Sequence, residues 1–135
     1  MAMLNFHPGG APDAHDKRDR RFTPRLKSLP ARVDLSSLCG PVYNQYRTQS
    51  CSANALAAAL VLLGNQQPDA LVLPSRLFIY YNARALTGTQ ATDSGSTIRD
   101  AIKAYARDGA CVERQWPFLK SKITARPSRA CYGDA

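Results

Sequence analysis

Cys51 opens a long apolar run, "CSANALAAALVLLG", with Ser50 and Ser52 on either side and Gln45 six positions upstream. A thiol there has two readings. It is a small buried side chain inside a helix, a common state for a free cysteine. Or it is a nucleophile, because the partial positive charge at a helix start favours the thiolate that attacks a carbonyl. Acyl transfer also needs donors for the developing oxyanion. The Cys51 backbone N–H and the Gln45 side-chain amide are the candidates, since a loop of this length can fold back so that they converge. Spacing alone leaves both readings open. A nucleophile also needs a base, yet the chain has only two histidines, His7 and His15, and none follows Cys51.

The elements that would carry these residues read as follows. Residues 1–30 are rich in Pro, Gly, Asp and Arg and lack periodicity. They form an arm, either a solvated tail or a segment lying over the domain with Phe22 as its apolar anchor. "LPARVDLSSLCGPVYNQ" is extended, with Val33, Leu35 and Leu38 as core contacts. A first helix starts at Cys51, with the Ser50 hydroxyl as N-cap and Gly64 ending it in the left-handed conformation. Being apolar nearly all round, it is expected to be the buried central helix. "LPSRLFIYYNARALTG" predicts a second helix with Leu77, Tyr80, Tyr81 and Ala85 on one face and Gly88 past its end. "GSTIRDAIKAYARDG" predicts a third, with Ser96 as N-cap. Its Ile98, Ala101, Ile102, Tyr105 and Ala106 lie on a shared face, and Gly109 closes it. The tail is loop-like, with Trp116 and Phe118 as anchors around Pro117.

The 135 residues suit one modest domain. A formal charge of +8 raises the question of an acidic partner, and seven of the eighteen Lys and Arg fall in residues 17–32. There is no zinc-finger spacing, no aromatic RNP-like strand and no dense basic helix, so nucleic acid is not an expected partner. "DKRDRR" reads as a solvated mixed-charge run, with docking on an acidic surface as the alternative. No run approaches the roughly 18 apolar residues of a membrane span, so no membrane partner is expected. The N-terminus lacks the basic and apolar regions of a signal peptide; a cytoplasmic chain is expected, with export by another route as the alternative. Four cysteines are too sparse for a disulfide scaffold and not spaced for zinc, so no metal or cofactor is expected. Cys39, Cys111 and Cys131 read as reduced structural thiols, with a Cys111–Cys131 disulfide as the alternative.

"PVYNQYRTQSCSANALAAAL" resembles the active-site segment of the papain-like cysteine peptidases. It is most similar to their bacterial branch, which reads roughly Pro-Val-x-Asp-Gln-Gly-x-Leu-Gly-Ser-Cys-Thr-Ala-Asn-Ala. "PDAHDKRDRRF", "LPARVDLSSL", "SRLFIYYNARALTG", "DSGSTIRDAIKAYARDGACVERQWPF" and "CYGDA" resemble further segments of that branch in the same order. An ordered series over most of residues 12–135 is far more specific than a lone Gln-x5-Cys. The resemblance implies an α+β papain-like fold. Residues 1–30 would be a pro-segment-like arm and residues 31–135 the first, mainly helical lobe. It implies a cysteine peptidase acting on peptide or protein substrates, with Cys51 as nucleophile and Gln45 in the oxyanion hole. Ser94, Gly95 and Ser96 would line the cleft rim, where the family pairs with substrate backbone, and Thr97 and Ile98 fall near the pocket for the residue before the scissile one.

The sequence also departs from that pattern. Tyr46 and Gln49 stand where two glycines are expected, and glycine permits positive φ and close approach. Such replacements would narrow the cleft or twist the loop. Asn44 replaces aspartate and Ser52 replaces threonine. In the family a β-rich second lobe carries the catalytic histidine and asparagine, roughly 130–150 residues after the cysteine. The expectation is therefore a chain without its base, inactive alone, with apolar surface left open where that lobe would sit. The alternative is a non-catalytic remnant or binding module that pairs with a separate second-lobe chain. His7 or His15 reaching Cys51 from the arm is a further alternative to two solvated histidines.

Overall fold

A computed structural model describes residues 12–24, 28, 30–66 and 72–135. His7 lies outside the described residues. Among the described residues four helices follow in order: α1 (Cys51–Gly64), α2 (Arg76–Ala85), α3 (Ile98–Asp108) and the short α4 (Arg129–Gly133). Single 3₁₀ turns occur at Ser36–Leu38 and Lys120–Lys122. An isolated antiparallel bridge joins Pro74 to Val112. It is flanked by Ser75 N–H to the Cys111 carbonyl and Glu113 N–H to the Leu73 carbonyl, both at 2.8 Å.

The buried centre is α2, not α1. Seven of its ten residues are buried: Leu77, Phe78, Ile79, Tyr80, Asn82, Ala83 and Arg84. One side of α2 meets Ala53 and Ala57 of α1 and Ala101 and Ala104 of α3. These small residues let the helix axes come close. Phe78 packs instead on Cys111 and Cys131 from the tail. By contrast, α1 buries only Ser52, Ala53, Asn54, Ala57 and Val61, and Leu63 is 57% exposed. Hydropathy shows what a helix tolerates being covered by, not what is there to cover it. The open flank of α1, with residues 39–43, forms a groove of about 390 Å³ lined by Val42, Tyr43, Ala58, Ala59 and Leu62 among others. Gly40 allows that segment to approach, since a Cβ there would sit 2.7 Å from Cγ1 of Val61.

Other sequence expectations are also corrected. Val33 and Leu35 are exposed rather than core, and only Leu38 of that trio is half-buried. On α3 the buried residues are Ala101 and Ala104, while Ile98 and Ile102 face outward. The alanine face gives the closer approach to α2, and it outweighs the bulkier face as the packing surface. Thr97, not Ser96, caps α3, accepting the Asp100 N–H at 2.9 Å. Gly64 stays helical and Asn65 ends α1 in a right-handed conformation, whereas Gly109 closes α3 with φ 65° as expected. The tail folds more than expected, because the Ser128 side chain caps α4.

The described part of the arm lies on the domain, but by charge rather than through Phe22, which is 87% exposed. Arg99, in the first turn of α3, grips Asp19 with two guanidinium bonds of 3.0 and 2.8 Å. Its backbone N–H donates to Asp13 at 3.1 Å. Asp16 pairs with Arg18 at 2.6 Å and lies 4.0 Å from Arg99. The Arg99 guanidinium holds the Asp19 carboxyl below its ordinary range, and the Arg18 side chain holds Asp16 down to about 2. Depressed carboxylates contribute above their unfolded pKa and lose that contribution as pH falls through the folded one. The Arg99–Asp19 contact is therefore made at neutral pH and weakens as pH falls through the lowered Asp19 range, and it is screened by salt. Trypsin should nick Arg99→Ala at Lys17–Arg21 several-fold faster than the unmodified chain, as should raised salt. An unchanged nicking rate would show that something other than Arg99 holds the arm.

Candidate functional site

The loop before Cys51 is a closed turn. Asn44 Oδ1 accepts the Tyr46 N–H at 2.7 Å. The Gln45 carbonyl accepts the Thr48 N–H at 3.2 Å and the Thr48 hydroxyl at 2.7 Å. Gln45 Nε2 donates to the Thr48 carbonyl at 3.0 Å, so one hydrogen of that amide is used in the loop and the second is not. Tyr46 has φ 55°, where an L residue is disfavoured by about 1–2 kcal/mol. Residue 46 thus holds the left-handed φ that glycine favours. The Tyr46 ring turns outward and stacks beside Phe118, centroids 6.4 Å apart. Gln49 needs no positive φ.

Cys51 is half-buried and free at the first position of α1. Ser50 is buried and precedes it, but its side chain does not cap the helix. Its hydroxyl instead bonds Thr48 Oγ1 at 2.8 Å and receives Asn54 Nδ2 at 2.9 Å. Asn54 also donates to the Ser50 carbonyl at 2.8 Å and accepts from Arg76 at 3.1 Å. The helix start is therefore braced from behind, and its leading N–H groups are not covered by Ser50.

The rim residues meet this helix start. Ser96 is buried, with its hydroxyl 2.6 Å from that of Ser52, the neighbour of Cys51. Gly95 is buried with φ 80°, and its N–H donates to Tyr80 Oη at 3.0 Å. Ser94 is exposed beside it. Tyr80 Oη donates to Asp93 Oδ1 at 2.6 Å, and burial together with this bond pushes the phenol upward, so it stays protonated. Asp93 accepts the Gln49 N–H on both oxygens, at 3.1 and 3.2 Å. His15 is exposed in the arm.

Sequence reasoning missed the residues that support this geometry. Asp93 directly precedes Ser94-Gly95-Ser96, a turn-forming position that could have drawn notice. Arg84 is a charge inside a buried face, which was a signal. Its guanidinium is fully buried and donates to the carbonyls of Tyr80, Gln90, Thr92 and Ile123. It also lies 3.8 Å over the Tyr80 ring. Burial lowers its pKa. Trp116 and Phe118 are the anchors expected, half-buried against the core. Cys111 and Cys131 are buried and free, and burial followed by the neighbouring Cys131 pushes the Cys111 thiol up to about 12.

No protein-family model matches the chain. An uncharacterized peptidase C1-like protein of Acanthamoeba polyphaga mimivirus is 39% identical over 87 residues, which is 64% of this chain and 28% of that protein. Among solved structures, xylellain, a cysteine protease from Xylella fastidiosa, matches with a TM-score of 0.82 and 39% identity. That match covers 95% of this chain and 54% of xylellain. The chain belongs to the papain-like cysteine peptidase family. It spans about half the length of xylellain and a smaller share of the viral relative.

Proposed function

We propose that this chain is the nucleophile-bearing half of a papain-like peptidase site that acts on peptide bonds through Cys51. One observation carries the reading. The start of α1 is knit to the rim on both sides of Cys51, by Gln49 to Asp93 and by Ser52 to Ser96. Cys51 Sγ attacks the scissile carbonyl. The oxyanion is received by the Cys51 N–H and the second amide hydrogen of Gln45, in a helix start that Ser50 leaves uncapped. An extended peptide lies along Ser94, Gly95 and Ser96. The thiol proton needs a base, and the leaving amine must receive a proton. In this proposal a histidine and its orienting amide come from a second lobe outside these 135 residues, on whichever polypeptide carries it, and the chain alone is inactive.

A second reading is a binding module that pairs with a separate second-lobe chain. The open apolar flank of α1 and fully exposed Val42 favour it. Labelling tests the peptidase reading without the second lobe. A peptide carrying an iodoacetyl group is compared with iodoacetamide, and the modified cysteines are read by mass spectrometry. Relative to iodoacetamide, the peptide reagent should favour Cys51 over exposed Cys39 by about tenfold or more, and excess unreactive peptide should suppress this. Cys111 and Cys131 should remain unmodified. Equal Cys51-to-Cys39 ratios for the two reagents would remove the peptide-directed site.

A further inference from the structure

We propose that Asp93 is a positioning residue, a carboxylate staple that holds the Gln45–Ser50 loop against the Ser94–Ser96 rim; its relevance to catalysis rests on the peptidase reading above. The polarity of the hydrogen bonds supports it. Gln49 N–H donates to Asp93 at 3.1 and 3.2 Å, and Tyr80 O–H donates to Asp93 at 2.6 Å. Tyr80 Oη in turn accepts the Gly95 N–H at 3.0 Å. Every proton in this series of bonds points toward the Asp93 side chain, which acts in it only as an acceptor. The bond to Gln49 crosses 44 residues of sequence. It therefore joins the loop that bears Gln45 to the segment that bears Gly95.

The staple is anchored from inside. Tyr80 is fully buried on α2, which fixes where its hydroxyl stands. Arg84, one turn further along α2, holds the Gln90 and Thr92 carbonyls and so sets the backbone that presents Asp93. Asp93 itself is exposed and fills no core space. Its removal should loosen the spacing between the two loops before it loosens the fold. Alanine there removes both acceptor oxygens, so the Gln49 N–H and the Tyr80 hydroxyl both lose their shared partner, whereas asparagine would keep Oδ1, which already receives both.

The test uses the full chain, isotopically labelled, with hydrogen exchange followed at the Gln49 and Gly95 amides. Asp93→Ala should raise exchange at both amides by about tenfold or more while Tm moves by only a few degrees. Tyr80→Phe, which keeps the ring, should raise exchange at Gly95 and leave Gln49 protected. Unchanged exchange in Asp93→Ala, or equal release of both amides in Tyr80→Phe, would overturn the staple. Where the unmodified chain shows peptide-directed labelling of Cys51, Asp93→Ala should bring the Cys51-to-Cys39 ratio back toward that of iodoacetamide. Loosened amides with undiminished peptide preference would overturn the positioning role. If the unmodified chain shows no peptide-directed labelling, the peptidase reading fails by itself, and the exchange data still decide the staple.

Discussion

Arg84→Met will lower the unfolding free energy by about 3 kcal/mol, read as a fall in the urea midpoint. Methionine keeps much of the side-chain volume, so the loss isolates the guanidinium. That group donates to the Gln90, Thr92 and Ile123 carbonyls as well as to its own helix. No carboxylate forms an ion pair with it among the described residues, so the carbonyl dipoles and the Tyr80 ring, with the Asp93 charge acting at longer range, offset its burial. Removing it leaves three loop carbonyls without that donor, each worth about 1–3 kcal/mol if buried and unmet. Relief from burying a charge offsets part of that sum. Against a domain stability of about 5–15 kcal/mol, the remainder is a large fraction. Arg84→Lys should recover little, because one ammonium does not span carbonyls held by a planar fork. A methionine variant as stable as the unmodified chain would mean that water reaches those carbonyls.

Glu113→Ala should cost a similar amount, about 3 kcal/mol, and should be strongly non-additive with Arg76→Ala. The Arg76–Glu113 pair is 2.7 Å apart, with side chains only 11% and 18% exposed. Glu113 also accepts the backbone N–H of Arg76 at 3.0 Å and of Phe118 at 3.1 Å. It thereby ties the start of α2 to the tail. Arg76 lies between the Tyr43 and Phe118 rings, 4.4 Å from each centroid, and reaches Asn54 and the Asn44 carbonyl. Removing Glu113 strands a guanidinium among aromatic rings; removing both partners does not. The double variant should be more stable than the two single losses added together, by about 1–3 kcal/mol in a denaturation cycle. Simple additivity would mean that the two side chains act independently.

Particular residues show what could be read before the fold. The three long helices were legible because apolar spacing and Ser, Thr and Gly punctuation agree on where each begins and ends, to within a residue or two. Faces were less legible. Ile98 and Ile102 formed a plausible core stripe, yet α3 packs through Ala101 and Ala104, because close approach to α2 rewards small side chains. Cys51 and Gln45 stood out through their types and an ordered resemblance. The network behind them did not, since Gln49 and Asp93 are joined only by the fold. Tyr46 was visible as a departure from glycine, but only its backbone shows that the tyrosine sits in the left-handed region glycine favours.

The open flank of α1 also governs how this chain behaves as a solute. A net charge of +8 makes copies repel one another in dilute buffer. Val42 and Leu63 nonetheless offer each neighbour an uncovered apolar surface. The screening length falls from about 30 Å at 0.01 M salt to about 3 Å at 1 M. Sulfate and phosphate also strengthen apolar burial. Added salt therefore removes the repulsion and leaves the attraction. The chain should stay dispersed at low ionic strength and salt out early, the opposite of an assembly whose copies are held together by ion pairs.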